Sequence, residues 1–99
     1  MQEQVERIRQ EVEARLEAYK TQCGFAFTMH SMDPGAREHI INIGTSVLCT
    51  KWGVGYPGGS FVQAVVDNDL REAFGRADAI NSDCIKFYVM LIHNTHYIE

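Results

Sequence analysis

Four glycines and one proline crowd into the segment Gly53–Ser60, and this segment divides the chain more firmly than any other feature. Glycine inside a regular element is entropically costly, and proline removes a backbone donor, so this density ends whatever helix or strand precedes it. Ser60 then predicts an N-cap for a buried helix over Phe61–Val66, whose apolar residues occupy nearly every face. The sequence therefore predicts a structured loop that leads directly into a helix.

Apolar residues at three- and four-residue steps predict an amphipathic helix over residues 2–22. The stripe consists of Val5, Ile8, Val12, Leu16 and Tyr19. Arg15 interrupts the heptad pattern, and fewer than three clean heptads are present, so an extended coiled coil is disfavoured. We expect this helix to dock onto the core or onto a sister subunit.

The stretch before the loop is only partly determined by its pattern. Asp33-Pro34 is typical of an N-cap followed by proline in the first helical turn, and helical spacing continues to Trp52. The β-branched run Ile40–Cys49 leaves either a helix or a strand possible there. The segment Phe25–His30 alternates imperfectly, and its pattern does not distinguish extended structure from a connection.

Polar residues divide the part of the chain that follows the loop. Asp67-Asn68-Asp69 predicts a break, after which Asp69 caps a second short helix that ends near Gly75. A last helix is expected to start near Asn81 or Ser82 and to lie centrally in the core. Together these patterns predict an all-α or α-rich single domain, with a docking or oligomerisation helix over 1–22, a helical core over 33–94 and a tail over 95–99.

Length and composition narrow the possible functions. A chain of 99 residues makes only a small core, so self-association into a homo-oligomer would help it. The net charge of −4 argues against duplex nucleic acid as a partner, because a protein that binds it needs a dense basic face.

Cys23, Cys49 and Cys84 fit neither a disulfide framework nor paired zinc ligands, so we expect buried, reduced thiols in a cytoplasmic protein. No stretch approaches the roughly 18 apolar residues of a membrane span, and no membrane partner is expected.

The loop also has the parts of an anion pocket. Glycines let backbone N–H groups approach a phosphate, and a helix N-terminus carries partial positive charge, so we assign phosphate contacts to Tyr56, Gly58, Gly59 and Ser60. Trp52 and Tyr56 are the candidates for stacking on a base. Arg76 is the candidate charged clamp, although pairing with a nearby carboxylate is equally expected. A plain connection between helices is the commoner meaning of such a loop.

Evidence for catalysis or metal binding is weak in the sequence. His93 and His96 are three residues apart at the end of the last helix, but no neighbouring Cys, Asp or Glu completes a ligand set. No local signature marks Cys49, Cys84 or Ser60 as an activated nucleophile. We therefore expect a protein that is not an enzyme and that uses no metal or cofactor.

One ordered stretch resembles a known group of proteins. Gly55–Leu70 reads G-Y-P-G-G-S-F-V-Q-A-V-V-D-N-D-L, similar to the G-x-P-P-G-G-F-L-x-A-V-L-x-N-D-L of a widespread group of small phage proteins. Ala73–Asp78 and Asn81 match the A-F-G-R-A-D-x-x-N that often continues it. The match covers about a quarter to a third of the chain and leaves out the N-terminal helix. Gly58 replaces the second proline of the pattern, and Ser60 its second glycine.

The resemblance implies an accessory factor that counters host defence in the host cytoplasm. One activity among such factors, of the anti-CBASS type, is that of a sponge, an oligomer that traps a cyclic nucleotide second messenger without cleaving it. We therefore expect an oligomeric cyclic oligonucleotide sponge. Two alternatives are a protein-binding inhibitor of a host defence effector and a structural or regulatory phage protein with no small ligand.

Overall fold

A central helix, α3, organises the chain: four other helices pack directly against it, and α5 packs against α4. The computed structural model describes residues 2–99, and within that range all regular structure is helical. The elements are α1 (Gln2–Tyr19), α2 (Phe25–Met32), α3 (Pro34–Trp52), α4 (Ser60–Val66), α5 (Leu70–Arg76) and α6 (Ala79–Asn94). Helix α3 packs against α1, α2, α4 and α6. The all-α prediction is confirmed.

Helix α3 begins where the Asp-Pro pair predicts. The Asp33 carboxylate accepts a hydrogen bond from the Ala36 N–H at 2.9 Å, and Pro34 occupies the first turn, where its missing N–H costs nothing. The run Ile40–Cys49, open between helix and strand by its pattern, is helical. Gly44 suits this helix because a Cβ there would lie 2.9 Å from Val12 and 3.0 Å from Leu91, so α1 and α6 approach α3 closely at this point.

Helix α1 docks on the core of its own chain. The three middle residues of its stripe, Ile8, Val12 and Leu16, have no exposed surface. Burying a side chain of this kind contributes about 1.5–3 kcal/mol relative to leaving it exposed, so α1 belongs to the core. The stripe predicted from the sequence is therefore occupied within one chain.

The segment Phe25–His30, undetermined from the sequence, lies in helix α2. Gly24, with φ of 99°, turns the chain out of the preceding loop, a conformation that favours glycine. Phe27 is fully buried, with its ring 4.9 Å from the ring of Phe87 on α6. The opposite face of α2 leaves Phe25 81%, Met32 68% and Met29 52% exposed.

The break at residues 67–69 and the cap that follows are confirmed. Asn68 adopts a φ of 60°, and the Asp69 carboxylate accepts a hydrogen bond from the Glu72 N–H at 3.2 Å at the start of α5. The predicted N-cap one helix earlier is displaced by one residue. Gly59 is the N-cap of α4, Ser60 is already helical, and no side chain caps this helix.

Helix α6 begins earlier than Asn81 or Ser82, which was the expected start. Asp78 is the N-cap, and its Oδ1 accepts a hydrogen bond from the Asn81 N–H at 2.7 Å. Asn81 is buried, and its Oδ1 accepts a hydrogen bond from the buried Tyr88 hydroxyl at 2.7 Å, so these two polar groups are paired in the core. The central position predicted for this helix is confirmed, since it packs against α1, α2, α3 and α4.

The cysteines and the tail complete the molecule. Cys23, Cys49 and Cys84 are buried and unlinked, as the sequence predicts. Within residues 95–99, Tyr97 and Ile98 accept hydrogen bonds from the Gln4 side chain, at 3.0 Å and 2.8 Å respectively. Over residues 2–99, no helix combines the length and apolar character that crossing a membrane would require.

Candidate functional site

The loop after α3 is fixed by its own backbone. Gly53 ends α3 with a φ of 70°, and Gly55 adopts a φ of 68°, so both occupy the left-handed region that favours glycine. Between them Val54 is buried, and its N–H donates to the Cys49 carbonyl at 2.8 Å. The first half of the loop is therefore anchored to the end of α3.

Gly58 anchors the second half. Its N–H donates to the Thr50 hydroxyl at 2.8 Å, and its carbonyl accepts from the Gln63 side-chain amide at 2.8 Å. A Cβ at this position would lie 2.5 Å from Ser46 Oγ and 2.6 Å from a methyl carbon of Val62. Gly58 thus packs the loop against α3 and α4, and its N–H is already committed. The proline of the resembling pattern would have no N–H to give Thr50.

The neighbouring predicted residues face open space. Tyr56 is 91% exposed, and a Cβ on Gly59 would meet no atom within 4 Å. Gly59 has a φ of −72°, which any residue adopts. The backbone N–H groups of the first turn of α4 have no intrahelical acceptor, and no side chain caps them. Tyr56, Gly59 and Ser60 are therefore accessible together.

Trp52 and Arg76 are engaged elsewhere in the chain. The half-buried Trp52 ring packs edge to face on the Tyr97 ring, with centroids 5.5 Å apart. Arg76 lies on α5, and its Nε donates to Glu72 Oε2 at 3.0 Å across one helical turn. Among the predicted site residues, the structure groups those of residues 56–60 but gives Trp52 and Arg76 partners of their own.

A cavity of about 390 Å³ lies on the Tyr56 side of the loop, between α1 and α3. Pockets for small molecules have volumes of about 300–1,000 Å³, so its size is adequate for a ligand. Its lining consists of Gln2, Val5, Asn42, Thr45, Ser46, Cys49, Val54, Gly55 and Tyr56. The floor is apolar, amide and hydroxyl groups surround it, and none of these lining side chains carries a formal charge at neutral pH.

Sequence reasoning identified Tyr56 and missed the wall opposite it. Asn42, Ser46 and Cys49 recur at helical spacing on one face of α3, which is a detectable signal. Their significance depends on α1 crossing beside that face, and no local pattern specifies the crossing.

The guanidinium that donates to Asn42 in the cavity lining is neutralised. Arg9 on α1 donates to Asn42 Oδ1 and to Glu38 Oε1, and its Nε lies 3.8 Å from Glu13 Oε1. Two carboxylates therefore offset its charge. The cavity is consequently better suited to a neutral, hydrogen-bonding group than to a phosphate, whereas the open N–H groups of α4 suit an anion.

Cys49 is a thiol in this cavity wall. Burial raises the pKa of Cys49, so the side chain is protonated at neutral pH and is a poor nucleophile. Over the described part of the chain, no three His, Cys, Asp or Glu side chains come close enough together to hold a metal ion.

Comparison with known proteins yields no relative: no family model, curated protein or solved structure matches the chain.

Proposed function

We propose that this protein binds and sequesters a cyclic oligonucleotide immune signal without cleaving it, as a phage anti-defence factor in the host cytoplasm. The observation that carries the proposal is Tyr56, which is 91% exposed on a loop whose two halves are fixed by hydrogen bonds. Because these hydrogen bonds fix the loop backbone, the Tyr56 ring can bind a base with little loss of conformational entropy.

The phosphates belong at the start of α4. Gly59 and Ser60 are exposed, as Tyr56 is, no side chain caps the first backbone N–H groups of α4, and the Ser60 hydroxyl adds a donor. Gly58 supports this arrangement by fixing the loop rather than by donating, because its N–H is bonded to Thr50. A ligand can therefore place a phosphate at the helix and a base against the Tyr56 ring.

We include Arg76 and Trp52 in the proposed site, although both already contact other residues of the chain. The Arg76–Glu72 pair is exposed, and exposed ion pairs typically contribute about 0–1 kcal/mol, so a phosphate can compete for the guanidinium. The half-buried Trp52 ring meets Tyr97 edge to face, and we propose that its remaining exposed surface contacts a second base.

Sequestration fits the chemistry around the loop better than turnover does. Cleaving a phosphodiester requires an activated nucleophile or general base, and Cys49, which lines the adjacent cavity, is held as a thiol by burial. Binding by backbone donors and an aromatic ring leaves the ligand intact.

Calorimetric titration with cyclic dinucleotides and trinucleotides tests the proposal. Tyr56→Ala should weaken binding by about 1–3 kcal/mol if the ring stacks on a base, with an unchanged melting temperature because the side chain is exposed. Phe74→Ala, at another half-exposed aromatic residue, is the matched control and should bind like the wild type. Heat denaturation of the complex should return the nucleotide chemically unchanged.

The outcomes separate the candidate functions. A linearised nucleotide recovered from the complex would contradict sequestration. A folded Tyr56→Ala protein with wild-type affinity would remove the loop from the site. A protein that binds none of the nucleotides but retains a host protein in a pull-down would instead support an inhibitor of a defence effector.

A further inference from the structure

The cavity beside the loop contains a hydrogen-bond donor whose orientation is set by the protein. Asn42 lies at the rim of this cavity, and its Oδ1 accepts a hydrogen bond from Arg9 Nη1. Arg9 is in turn held by Glu38 and Glu13 on its other nitrogens. Because the carboxamide oxygen is turned toward Arg9, the Asn42 NH₂ group is the part left to face a ligand.

A second donor lies one helical turn away. Ser46 follows Asn42 by four residues on the same face of α3, and both line the cavity. Within residues 2–99 the Ser46 hydroxyl makes no hydrogen bond, and its Oγ lies against the loop at Gly58, where the hydroxyl can donate to a ligand in the cavity. This wall therefore presents an amide donor and a hydroxyl to whatever fills the cavity.

The rest of the cavity suits a flat, uncharged ring. Val5, Val54 and the Cys49 thiol form apolar lining, and the exposed Tyr56 ring stands at the edge. The Arg9 guanidinium, which donates to Asn42 in the lining, is already offset by two carboxylates. A phosphate would lose its hydration here without gaining a cation, whereas a nucleobase would gain stacking and hydrogen bonds.

We propose that this cavity takes one base of the sequestered nucleotide and prefers guanine to adenine. Guanine presents two acceptors, O6 and N7, on one edge, whereas adenine presents one acceptor beside its N6 amino donor. An asparagine reads adenine with both its oxygen and its nitrogen, and Arg9 occupies that oxygen in Asn42. Arg9 is thus a positioning residue for base preference. The inference rests on the proposed function, since it assigns a base of the same ligand.

Cyclic diguanylate, cyclic diadenylate and cyclic diuridylate, titrated separately by calorimetry, provide the test. We expect the wild type to bind the guanine ligand about tenfold more tightly than the adenine ligand, the discrimination expected of one well-placed base contact. Asn42→Asp removes the donor without changing the shape and should abolish this preference. Arg9→Met frees the Asn42 oxygen and should shift the preference toward adenine while Asn42 remains.

Gln10→Glu is the matched control, because it makes the same amide-to-carboxylate change at an exposed residue of α1 outside the cavity lining. It should keep the guanine preference. Independently, the Asn42 side-chain NH₂ resonance should shift on binding of cyclic diguanylate, and melting curves should show each variant folded.

Two results overturn the inference, and they are distinguishable. Equal affinity for the guanine and adenine ligands, or a guanine preference that persists in Asn42→Asp, would show that the cavity does not select the base. Neither result would contradict sequestration. Binding of none of the three ligands by folded wild type would overturn the base assignment together with the proposed function.

Discussion

Two adjacent glycines show how much one residue's surroundings decide. Gly58 and Gly59 look alike in the sequence, and both were assigned to phosphate contacts. Gly58 fills a gap between Ser46 and Val62 and donates its N–H to Thr50, whereas Gly59 faces open space. No pattern within the loop distinguishes them, because the atoms that crowd Gly58 come from the flanking helices α3 and α4.

The pair Gly58→Ala and Gly59→Ala tests this difference. A methyl group on Gly58 would lie 2.5 Å from Ser46 Oγ, and overpacking of this kind costs about 1–3 kcal/mol of unfolding free energy. At Gly59 the methyl group meets nothing, and φ is −72°, so only the lower N-cap preference of alanine acts against the variant, and the unfolding free energy should fall by less than in Gly58→Ala. Urea unfolding measures both. Equal destabilisation by the two variants would contradict the packing role of Gly58.

Among the helices, a long apolar stripe or a recognised aspartate cap allowed the clearest predictions. Helices α1 and α5 follow such signals, whereas in α3 only the Asp33-Pro34 start was determined and the run Ile40–Cys49 stayed open between helix and strand. Helix α2 was undetermined because eight residues give too little periodicity to separate helix from strand. Its helical structure depends on Phe27 packing against Phe87, a contact between residues 60 positions apart.

The start of α6 was predicted too late, and the residue that caps it, Asp78, has two roles. Its Oδ1 caps the helix through the Asn81 N–H, and its Oδ2 lies 3.1 Å from His39 Nε2 on α3. Asp78→Ala should therefore cost about 0.5–2 kcal/mol of unfolding free energy, the usual loss of a helix cap. Asp83→Ala removes only an exposed contact with His30 and is the matched control, with an expected cost of about 0–1 kcal/mol.

Chemical denaturation near neutral pH measures this pair. A loss in Asp83→Ala as large as that in Asp78→Ala would mean that the contacts between histidine and aspartate, rather than the cap, stabilise this end of α6.

For the molecule as a whole, the buried thiols predict a loss of stability in alkali. Burial, with a smaller effect from neighbouring Asp83, raises the pKa of Cys84 to about 12, whereas an unfolded cysteine ionises near about 8.5. Between these values the unfolded chain binds fewer protons than the folded chain, so stability falls as pH rises. The slope per group approaches about 1.4 kcal/mol per pH unit.

Urea unfolding in reductant at several pH values between 8 and 11 checks this prediction. Cys84→Ala should show a shallower fall than the wild type, because one of the groups that release a proton on unfolding is gone. Parallel curves for the two proteins would contradict a buried, neutral thiol at this position.

The compactness of the chain and its exposed apolar residues indicate which helix mediates self-association, which we propose as part of the sponge. The radius of gyration is 12.3 Å, close to the roughly 13 Å of a compact 100-residue domain, so α1 already contributes to a closed single-chain core. The apolar Val5–Tyr19 stripe is therefore packed against the core of its own chain. The exposed stripe of α2, defined by Phe25, Met29 and Met32, is an apolar surface available to a sister subunit, and Phe25 is the most exposed apolar residue of the three at 81%.

Substitution on this α2 stripe tests the assembly. Met29→Lys should lower the mass measured by light scattering, because a charge at the centre of an apolar contact loses its hydration when buried, while the monomer fold should persist since Met29 is 52% exposed. Leu70→Lys, at a 66% exposed residue of α5, is the control and should keep the wild-type mass.

Deleting residues 2–19 is expected to unfold the chain, since it removes three fully buried side chains. A folded species of lower mass after that deletion would mean that α1 mediates the assembly. An unchanged mass in Met29→Lys would exclude the α2 stripe as the contact between subunits.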